Sequence, residues 1–155
     1  MVPRISMIVG LDTQGSVFLT LVQANSNSKI MELYLHQLVK TLDEERPGWR
    51  QNTLLMWDNA PYHSSPATLA ILEKLKVPVH FTGPHSYDAS PCELFFAHFK
   101  KEDINPQRLT TGKSNFDNVV RLAVQRARAI PRVHRVLFWH HCLLSLYEYL
   151  TFKTL

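Results

Sequence analysis

The sequence predicts a mixed α/β fold in a single domain spanning residues 1–155. Three observations carry this prediction. A chain of 155 residues fits one domain with a sizeable core, in which about 70% of the unfolded surface is buried. A hydrophobic content of 45% is that of an ordinary globular protein. Short apolar runs also alternate with stretches of helical spacing, in the order ββαβαβααα, which is typical of a mixed sheet followed by helices.

The first elements are a β-hairpin and a helix. Residues 4–11 and 16–22 are rich in β-formers, and the turn between them contains Asp12 and Gly15. A polar loop at 25–28 then ends in a helix cap, for which Ser28 is the candidate. Apolar residues recur at helical spacing from Ile30 to Leu42, so the pattern predicts a helix that ends before Pro47-Gly48.

The middle of the chain alternates strand, helix and strand. The continuous apolar run 53–57 predicts a strand buried on both faces. Residues 66–75 form the next predicted helix, with Ser64 or Ser65 as its cap and a proline in its first turn. A strand at 77–81 follows, and its proline favours a place at the edge of the sheet.

Helices dominate the rest of the chain. A proline opens a predicted helix at 91–101, after which a polar connection covers 105–114. Two further helices are expected at 116–129 and 134–150, and the second is largely apolar, which indicates a buried element or an interface. The domain therefore has a helical C-terminal part at about 115–150.

The charge of the chain is concentrated in its second half. The formal net charge is +4, yet residues 1–77 are neutral and residues 78–155 carry the whole excess. Such asymmetry indicates a polyanionic partner, although a solvated helix face explains the helical arginines equally well. The candidate nucleic-acid-binding residues are Lys100, Lys101, Arg121, Arg126 and Arg128, and the arginine-rich stretch continues with Arg132 and Arg135.

Several classes of protein are excluded or disfavoured by simple patterns. Two cysteines make no disulfide framework and lack the spacing of a zinc ribbon. No apolar run reaches the roughly 18–20 residues that span a bilayer, and the first residues do not read as a signal peptide, so no membrane partner is expected. The segment 111–114 resembles the end of a P-loop. The first glycine of that motif and the strand that precedes it are missing, so no ATP binding is expected.

Two carboxylates occupy positions where α/β proteins carry out chemistry. Asp58 ends the predicted strand 53–57, and Glu93 lies in the first turn of the helix that Pro91 opens. Two ionised carboxylates that approach each other repel unless a divalent cation bridges them, and Mg²⁺ binds one or two carboxylates together with water and phosphate oxygens. Such a pair supports two-metal phosphodiester chemistry. The plainer interpretation is that Asp58 caps a turn and Glu93 complements a helix dipole.

The sequence motifs around these two acidic residues resemble those of a known family. Residues 58–63 (Asp-Asn-Ala-Pro-Tyr-His) resemble the D-N-A-x-x-H segment of the mariner-type transposases, which are DDE endonucleases of RNase H-like fold. Residues 86–93 resemble the S-P-D-L-N-P-I-E segment of that family and match it at Ser86, Asp88, Pro91 and Glu93. The 34 residues between Asp58 and Glu93 equal the spacing of one branch in which the third carboxylate is a glutamate. The resemblance covers most of the chain.

This resemblance implies an activity and a site. Asp58 and Glu93 would be the second and third catalytic carboxylates and would bind Mg²⁺ or Mn²⁺, while Asn59 and His63 would support the site. The implied activity is metal-dependent cleavage of DNA ends, followed by transfer of a strand to new DNA. A eukaryotic transposase would act in the nucleus, whereas the sequence names neither host nor DNA target.

The first carboxylate of the family is not identifiable. The residues before Asp58 resemble the second and third strands of the family, so the central strand with its aspartate is expected upstream of Met1. An RNase H-like sheet truncated in this way exposes unpaired backbone groups, so another chain or a second copy is expected to complete it. Alternatively, 4–11 is the central strand and Asp12 the first carboxylate, although its turn sequence disfavours this.

The sequence is therefore consistent with two functions. The first is a transposase-derived DDE endonuclease. The second is a domesticated, non-catalytic descendant that serves as a structural or nucleic-acid-binding subunit of a larger assembly. The missing aspartate favours the second, and the retained Asp58, Asn59, His63 and Glu93 favour the first.

Overall fold

The structure is a computed structural model, and it describes residues 5–23, 25–83, 90–101 and 113–152, with the side chains of 113–116 and 144–152 left out of the description. The chain divides into two compact units, residues 1–23 with 87–155 and residues 24–86. The mixed α/β class predicted from the sequence is confirmed. The elements are β1 (Ser6–Leu11), β2 (Val17–Val22), α1 (Ser28–Glu45), α2 (Trp49–Asn52), β3 (Leu55–Trp57), α3 (Pro66–Lys74), β4 (Val79–Phe81), α4 (Pro91–Phe99), α5 (Lys113–Ala129) and α6 (Arg132–Phe152).

The predicted hairpin is present in the first unit. β1 pairs antiparallel with β2, with Leu11 opposite Val17 at the closed end. The carboxylate of Asp12 accepts backbone hydrogen bonds from Gln14 (3.0 Å) and Ser16 (2.6 Å) across the turn. Gly15 has φ = +80°, which a glycine adopts without steric cost. The turn chemistry read from the sequence therefore determines this connection.

The core of the first unit is formed by side chains of the hairpin, α4 and α5, and α4 also packs against α6. Phe95 is fully buried, and Phe99 lies one helical turn further along the same face of α4. The small side chains of Ala123 and Ala127, both on α5, are buried in the same cluster. Half-buried Phe138 and Trp139 of α6 pack against this cluster. Within the described residues, no helix is long and apolar enough to cross a membrane.

The second unit contains a parallel strand pair and a helical layer. β3 and β4 run parallel, with Trp57 opposite Phe81, so both strands end at the same edge. The helical layer is formed by α1 packed against α3. The buried residues of α1 are Met31, Tyr34, Leu35, Leu38, Val39 and Leu42.

Three local predictions for this unit are corrected. Asn27 rather than Ser28 caps α1, because the Asn27 side chain accepts a hydrogen bond from the backbone N–H of Ile30 at 3.0 Å. β3 is shorter than predicted and only half-buried on average, and Leu54 is exposed. The reason is that β3 pairs with one strand, β4, within the part of the chain described.

The short helix α2 was not predicted from the sequence. Gly48 begins it with φ = +77°, and Trp49 is buried. The Trp49 indole donates to the Asp43 carboxylate at 2.8 Å, and Arg50 pairs with that carboxylate and donates to the Leu75 carbonyl at 3.2 Å. A helix of four residues is too short to be stable by itself, so these tertiary contacts stabilise it.

Candidate active site

Asp58 lies directly after β3, at the carboxyl edge of the parallel pair. Thr82 follows β4 at the same edge, and its backbone N–H donates to the Trp57 carbonyl at 2.7 Å. The side-chain amide of Asn59 donates to the Thr82 carbonyl at 2.7 Å. The loop that carries Asp58 is therefore attached to the neighbouring strand, at the kind of edge where α/β proteins bind ligands.

The Asp58 carboxylate is oriented through one of its oxygens. Oδ1 accepts a hydrogen bond from the backbone N–H of Ala60 at 3.0 Å and lies 2.5 Å from Nδ1 of His63. All hydrogen bonds shown for this carboxylate in the described part of the chain involve Oδ1. The side chain is 59% exposed, so the carboxylate is open to solvent and ligands.

His63 is held by aromatic neighbours as well as by Asp58. Its ring is stacked on Trp57, with ring centroids 4.7 Å apart and an interplanar angle of 7°, and Tyr62 meets it edge-on at 4.5 Å. The imidazole is only 13% exposed. Burial, followed by the nearby Asp58 charge, raises the pKa of the Tyr62 hydroxyl above its ordinary value. The stack restrains the imidazole and thereby the carboxylate it contacts.

The far end of this loop is attached to α3. Ser65 caps the helix by accepting from the backbone N–H of Thr68 at 3.2 Å, as the sequence predicted for Ser64 or Ser65. The buried Thr68 hydroxyl donates to the Tyr62 carbonyl at 2.7 Å. Because both ends are attached, the segment from Asp58 to Ser65 has few conformations available, which suits a side chain that must hold a ligand.

Glu93 lies in the first turn of α4 and is exposed. Its backbone N–H donates to the Ser90 carbonyl at 3.0 Å, and its neighbour Cys92 donates to the Val9 carbonyl of β1 at 3.6 Å. Because Phe95 is buried, the rotation of α4 is determined and Glu93 faces outward. The predicted motif residues Ser86 and Asp88 lie outside the described residues.

The candidate residues are distributed over both units. Asp58, Asn59 and His63 form one cluster in the second unit, and Glu93 belongs to the first unit. Among the described side chains, no group of three or more His, Cys, Asp or Glu residues could hold a metal ion. Asp12, the alternative first carboxylate, accepts hydrogen bonds within its own turn.

The predicted nucleic-acid-binding residues occupy three different environments. Lys100 lies over the ring of Phe96, with its ammonium 5.4 Å from the centroid. Lys101 and Arg126 line one cleft in the first unit. Arg121 and Arg128 are exposed on α5. The sequence had grouped these five residues only by their positive charge, and the structure shows that their surroundings differ.

Sequence reasoning missed three contributors to the Asp58 cluster, namely the Trp57 ring, the Tyr62 ring and the Thr82 carbonyl. Trp57 adjoins the motif and Tyr62 lies within it, so their closeness to His63 in the sequence was an available signal. Thr82 had none, because its contact depends on which strand pairs with β3 and in which register.

The fold and the motif together define the class to which this chain belongs. Residues 2–114 match the family model described as DDE superfamily endonuclease, so the chain belongs to that family. No match was found among curated proteins. The structure is also similar to solved structures of one transposase, at sequence identities that support a shared fold.

The solved structures are those of the Mos1 mariner transposase catalytic domain. One matches with a TM-score of 0.67 and 20% identity over 88% of this chain, which spans 66% of that domain. A second structure, described as the catalytic domain and raltegravir with Mg, has a TM-score of 0.62 and 19% identity, and the match covers 90% of this chain and 74% of that one. A third, described as the same domain and raltegravir with Mn, has a TM-score of 0.60 and 20% identity, and the match covers 92% of this chain and 80% of that one. The family match confirms the predicted DDE endonuclease family, and the similarity to a mariner transposase catalytic domain confirms the predicted RNase H-like fold.

Proposed function

We propose that this chain is a metal-dependent DNA endonuclease domain of mariner type, in which Asp58 and Glu93 are catalytic, metal-binding carboxylates. The observation that carries the proposal is the Asp58 cluster. One carboxylate oxygen is held by Ala60 and His63, and the side chain is exposed at the carboxyl edge of two parallel strands. A turn-capping aspartate would need only the Ala60 contact.

The residues present fit a divalent cation of the hard, oxygen-binding type. Carboxylate oxygens are the ligands that Mg²⁺ and Mn²⁺ prefer, and Asp58 presents Oδ2 beside an oxygen that is already oriented. Glu93 is an exposed carboxylate of the first unit, and its assignment to metal binding comes from its motif. A bound metal would activate the nucleophile, which is a water molecule or the hydroxyl at a strand end, and would stabilise the leaving oxygen of a phosphodiester.

The chain's own groups have positioning roles in this proposal. His63 holds the Asp58 carboxylate in orientation, and Asn59 holds the loop to β4. The basic residues Lys100, Lys101, Arg121, Arg126 and Arg128 provide a surface for the DNA backbone, since most protein–DNA hydrogen bonds involve phosphate and sugar. Strand transfer to new DNA and action in a nucleus belong to the same proposal.

A nicking assay tests the endonuclease. Supercoiled plasmid is incubated with the chain in Mg²⁺ or Mn²⁺, beside Asp58→Asn and Glu93→Gln, which remove charge and preserve shape. The matched control is Glu73→Gln, an exposed carboxylate on α3. We expect the two site variants to lose about 100-fold or more of the nicking rate, by analogy with the loss of one electrostatic group in an active site. Equal rates in all three variants would contradict the assignment.

A non-catalytic role is the second candidate function. The observation that favours it concerns Asp12, whose carboxylate accepts hydrogen bonds from the backbone of Gln14 and Ser16 as an ordinary turn residue does. In this role the chain is a structural or DNA-binding subunit, and a partner chain or second copy completes the sheet. A chain that binds DNA but never nicks it above the level of Asp58→Asn supports this candidate.

A further inference from the structure

The imidazole of His63 contacts two aromatic rings in different orientations. Trp57 stacks on it with nearly parallel planes, 7° apart, and a centroid distance of 4.7 Å. Tyr62 meets it at an angle of 76° and a centroid distance of 4.5 Å. Together the rings of Trp57 and Tyr62 form an aromatic clamp. A histidine ring has a broad preference about its χ2 torsion, so the backbone does not determine the plane of the imidazole. The clamp restricts that plane.

The contact with Asp58 does not by itself give this restraint. The Asp58 side chain is 59% exposed, and an interaction between charged groups is weak where water and salt screen it. The imidazole, in contrast, is only 13% exposed. The buried member of the pair is therefore His63, and the orientation of the carboxylate depends on how firmly that ring is held.

Both rings of the clamp are attached to regular secondary structure. Trp57 is the last residue of β3, where it lies opposite Phe81 of β4, and the two rings are tilted by 52° with centroids 6.4 Å apart. The carbonyl of Tyr62 accepts a hydrogen bond from the buried hydroxyl of Thr68 on α3 at 2.7 Å. The clamp thus connects the plane of His63 to a strand pair and a helix. Support of this kind is what a precisely oriented site requires.

We propose that Trp57 and Tyr62 are positioning residues of the endonuclease site, which act on the reaction through the plane in which they hold His63. The proposal rests on the proposed function, in which Asp58 binds the metal. Trp57 lies before the D-N-A-x-x-H motif and Tyr62 occupies one of its variable positions, so the motif assigns a role to neither. What each position requires is an aromatic ring, while the indole N–H and the phenol hydroxyl are dispensable.

Double-mutant cycles on the rate of metal-dependent plasmid nicking test the proposal. Trp57→Leu and Tyr62→Leu are made in the wild-type chain and in His63→Ala, and Trp57→Phe and Tyr62→Phe are the matched variants that keep a ring. We expect each Leu variant to nick roughly 2–13-fold more slowly than wild type, the factor that one aromatic pair contributes. Each Phe variant should lie closer to wild type than its Leu variant does. In His63→Ala the Leu substitutions should cause no further loss, because residues that act through one another are not additive.

The ¹⁵N chemical shifts of the His63 imidazole, measured at one pH without metal or DNA, report its contact with Asp58 independently of activity. The reference for a lost contact is Asp58→Ala. In the Leu variants the shifts should move toward those of Asp58→Ala, and in the Phe variants they should stay near those of wild type.

The outcomes separate this proposal from the endonuclease assignment. Equal fold-losses in the wild-type and His63→Ala chains overturn the clamp, and an equal loss in Tyr62→Phe and Tyr62→Leu overturns it in favour of a role for the hydroxyl. If circular dichroism shows that Trp57→Leu is unfolded, the Tyr62 cycle decides by the same criteria. A chain that never nicks DNA but shows the expected imidazole shifts defeats the endonuclease proposal and leaves the positioning of His63 standing. A chain that nicks DNA without those shifts does the reverse.

Discussion

Gly15 and Gly48 form a natural pair for measuring how tightly the hairpin turn meets α6. Their φ values are +80° and +77°, so an alanine meets nearly the same backbone strain at both positions, about 1–2 kcal/mol. Their surroundings differ. A Cβ at Gly15 would lie 2.9 Å from the Arg132 carbonyl oxygen and 3.1 Å from a Val136 methyl group, whereas a Cβ at Gly48 meets only the Gln51 amide oxygen at 3.5 Å.

We predict that Gly15→Ala lowers the free energy of unfolding by about 1–3 kcal/mol more than Gly48→Ala does. The shared backbone strain and the shared change in unfolded-chain entropy cancel in this difference. What remains is the contact with Arg132, which is backbone and has to move, at a cost of the size that overpacking brings. The Arg132 Nε hydrogen bond to the Gln14 carbonyl, 2.8 Å long, lies at the same junction and would be disturbed.

The assay is urea denaturation followed by circular dichroism and tryptophan fluorescence. Each variant is compared with wild type in the transition of its own unit, because Gly15 and Gly48 belong to different units. Unchanged denaturant dependence of each transition serves as the control for a change in native stability alone. A Gly15→Ala variant no less stable than Gly48→Ala would refute the close approach of the turn to α6.

Two further predictions concern the other unit. His63→Ala is expected to lower the rate of metal-dependent nicking about 10–100-fold, because Asp58 then loses the contact that orients its Oδ1. This is the range found when a residue that orients a metal ligand is lost. The matched control is His36→Ala on α1, and equal nicking rates for the two variants would count against the positioning role of His63. The hydrogen bond from Arg50 is the main cause that holds the pKa of Asp43 below its ordinary 3.8, so this carboxylate stabilises the fold above that pH and the contribution is lost as the pH falls through the lowered pKa. Urea titrations from pH 7 to about pH 2 should therefore show Asp43→Asn less stable than wild type at neutral pH and similar to it in acid, and a constant difference would contradict this.

Much of the local structure followed from the sequence because it depends on local chemistry. The turn between β1 and β2 needs a side chain such as Asp12 that accepts backbone hydrogen bonds, and a glycine that adopts positive φ. The cap of α3 by Ser65 is likewise a contact between near neighbours. The Ser28 prediction failed by one residue because Asn27 competes for the same role with an equally suitable side chain.

The candidate site was predictable as a set of residues rather than as an arrangement. The motif around Asp58 and its spacing to Glu93 identify the family, and the family match confirms that recognition. The roles of Asp58, Glu93, Asn59 and His63 remain predictions. Their local surroundings, such as the Trp57 ring on His63, came from the structure.

By itself, the sequence determined the family, the order of most elements and the residues that could carry chemistry. Sequence motifs, apolar periodicity and turn residues reveal these because each depends on residues close together in the chain. Only the tertiary structure decided which strand lies beside β3, which oxygen of Asp58 is occupied, and which of the basic residues share a cleft. Those properties depend on contacts between residues far apart in the chain. Lys100 and Lys101 show the reason most directly, since two adjacent identical residues reach different surroundings once a helix end turns one toward Phe96 and the other into the cleft.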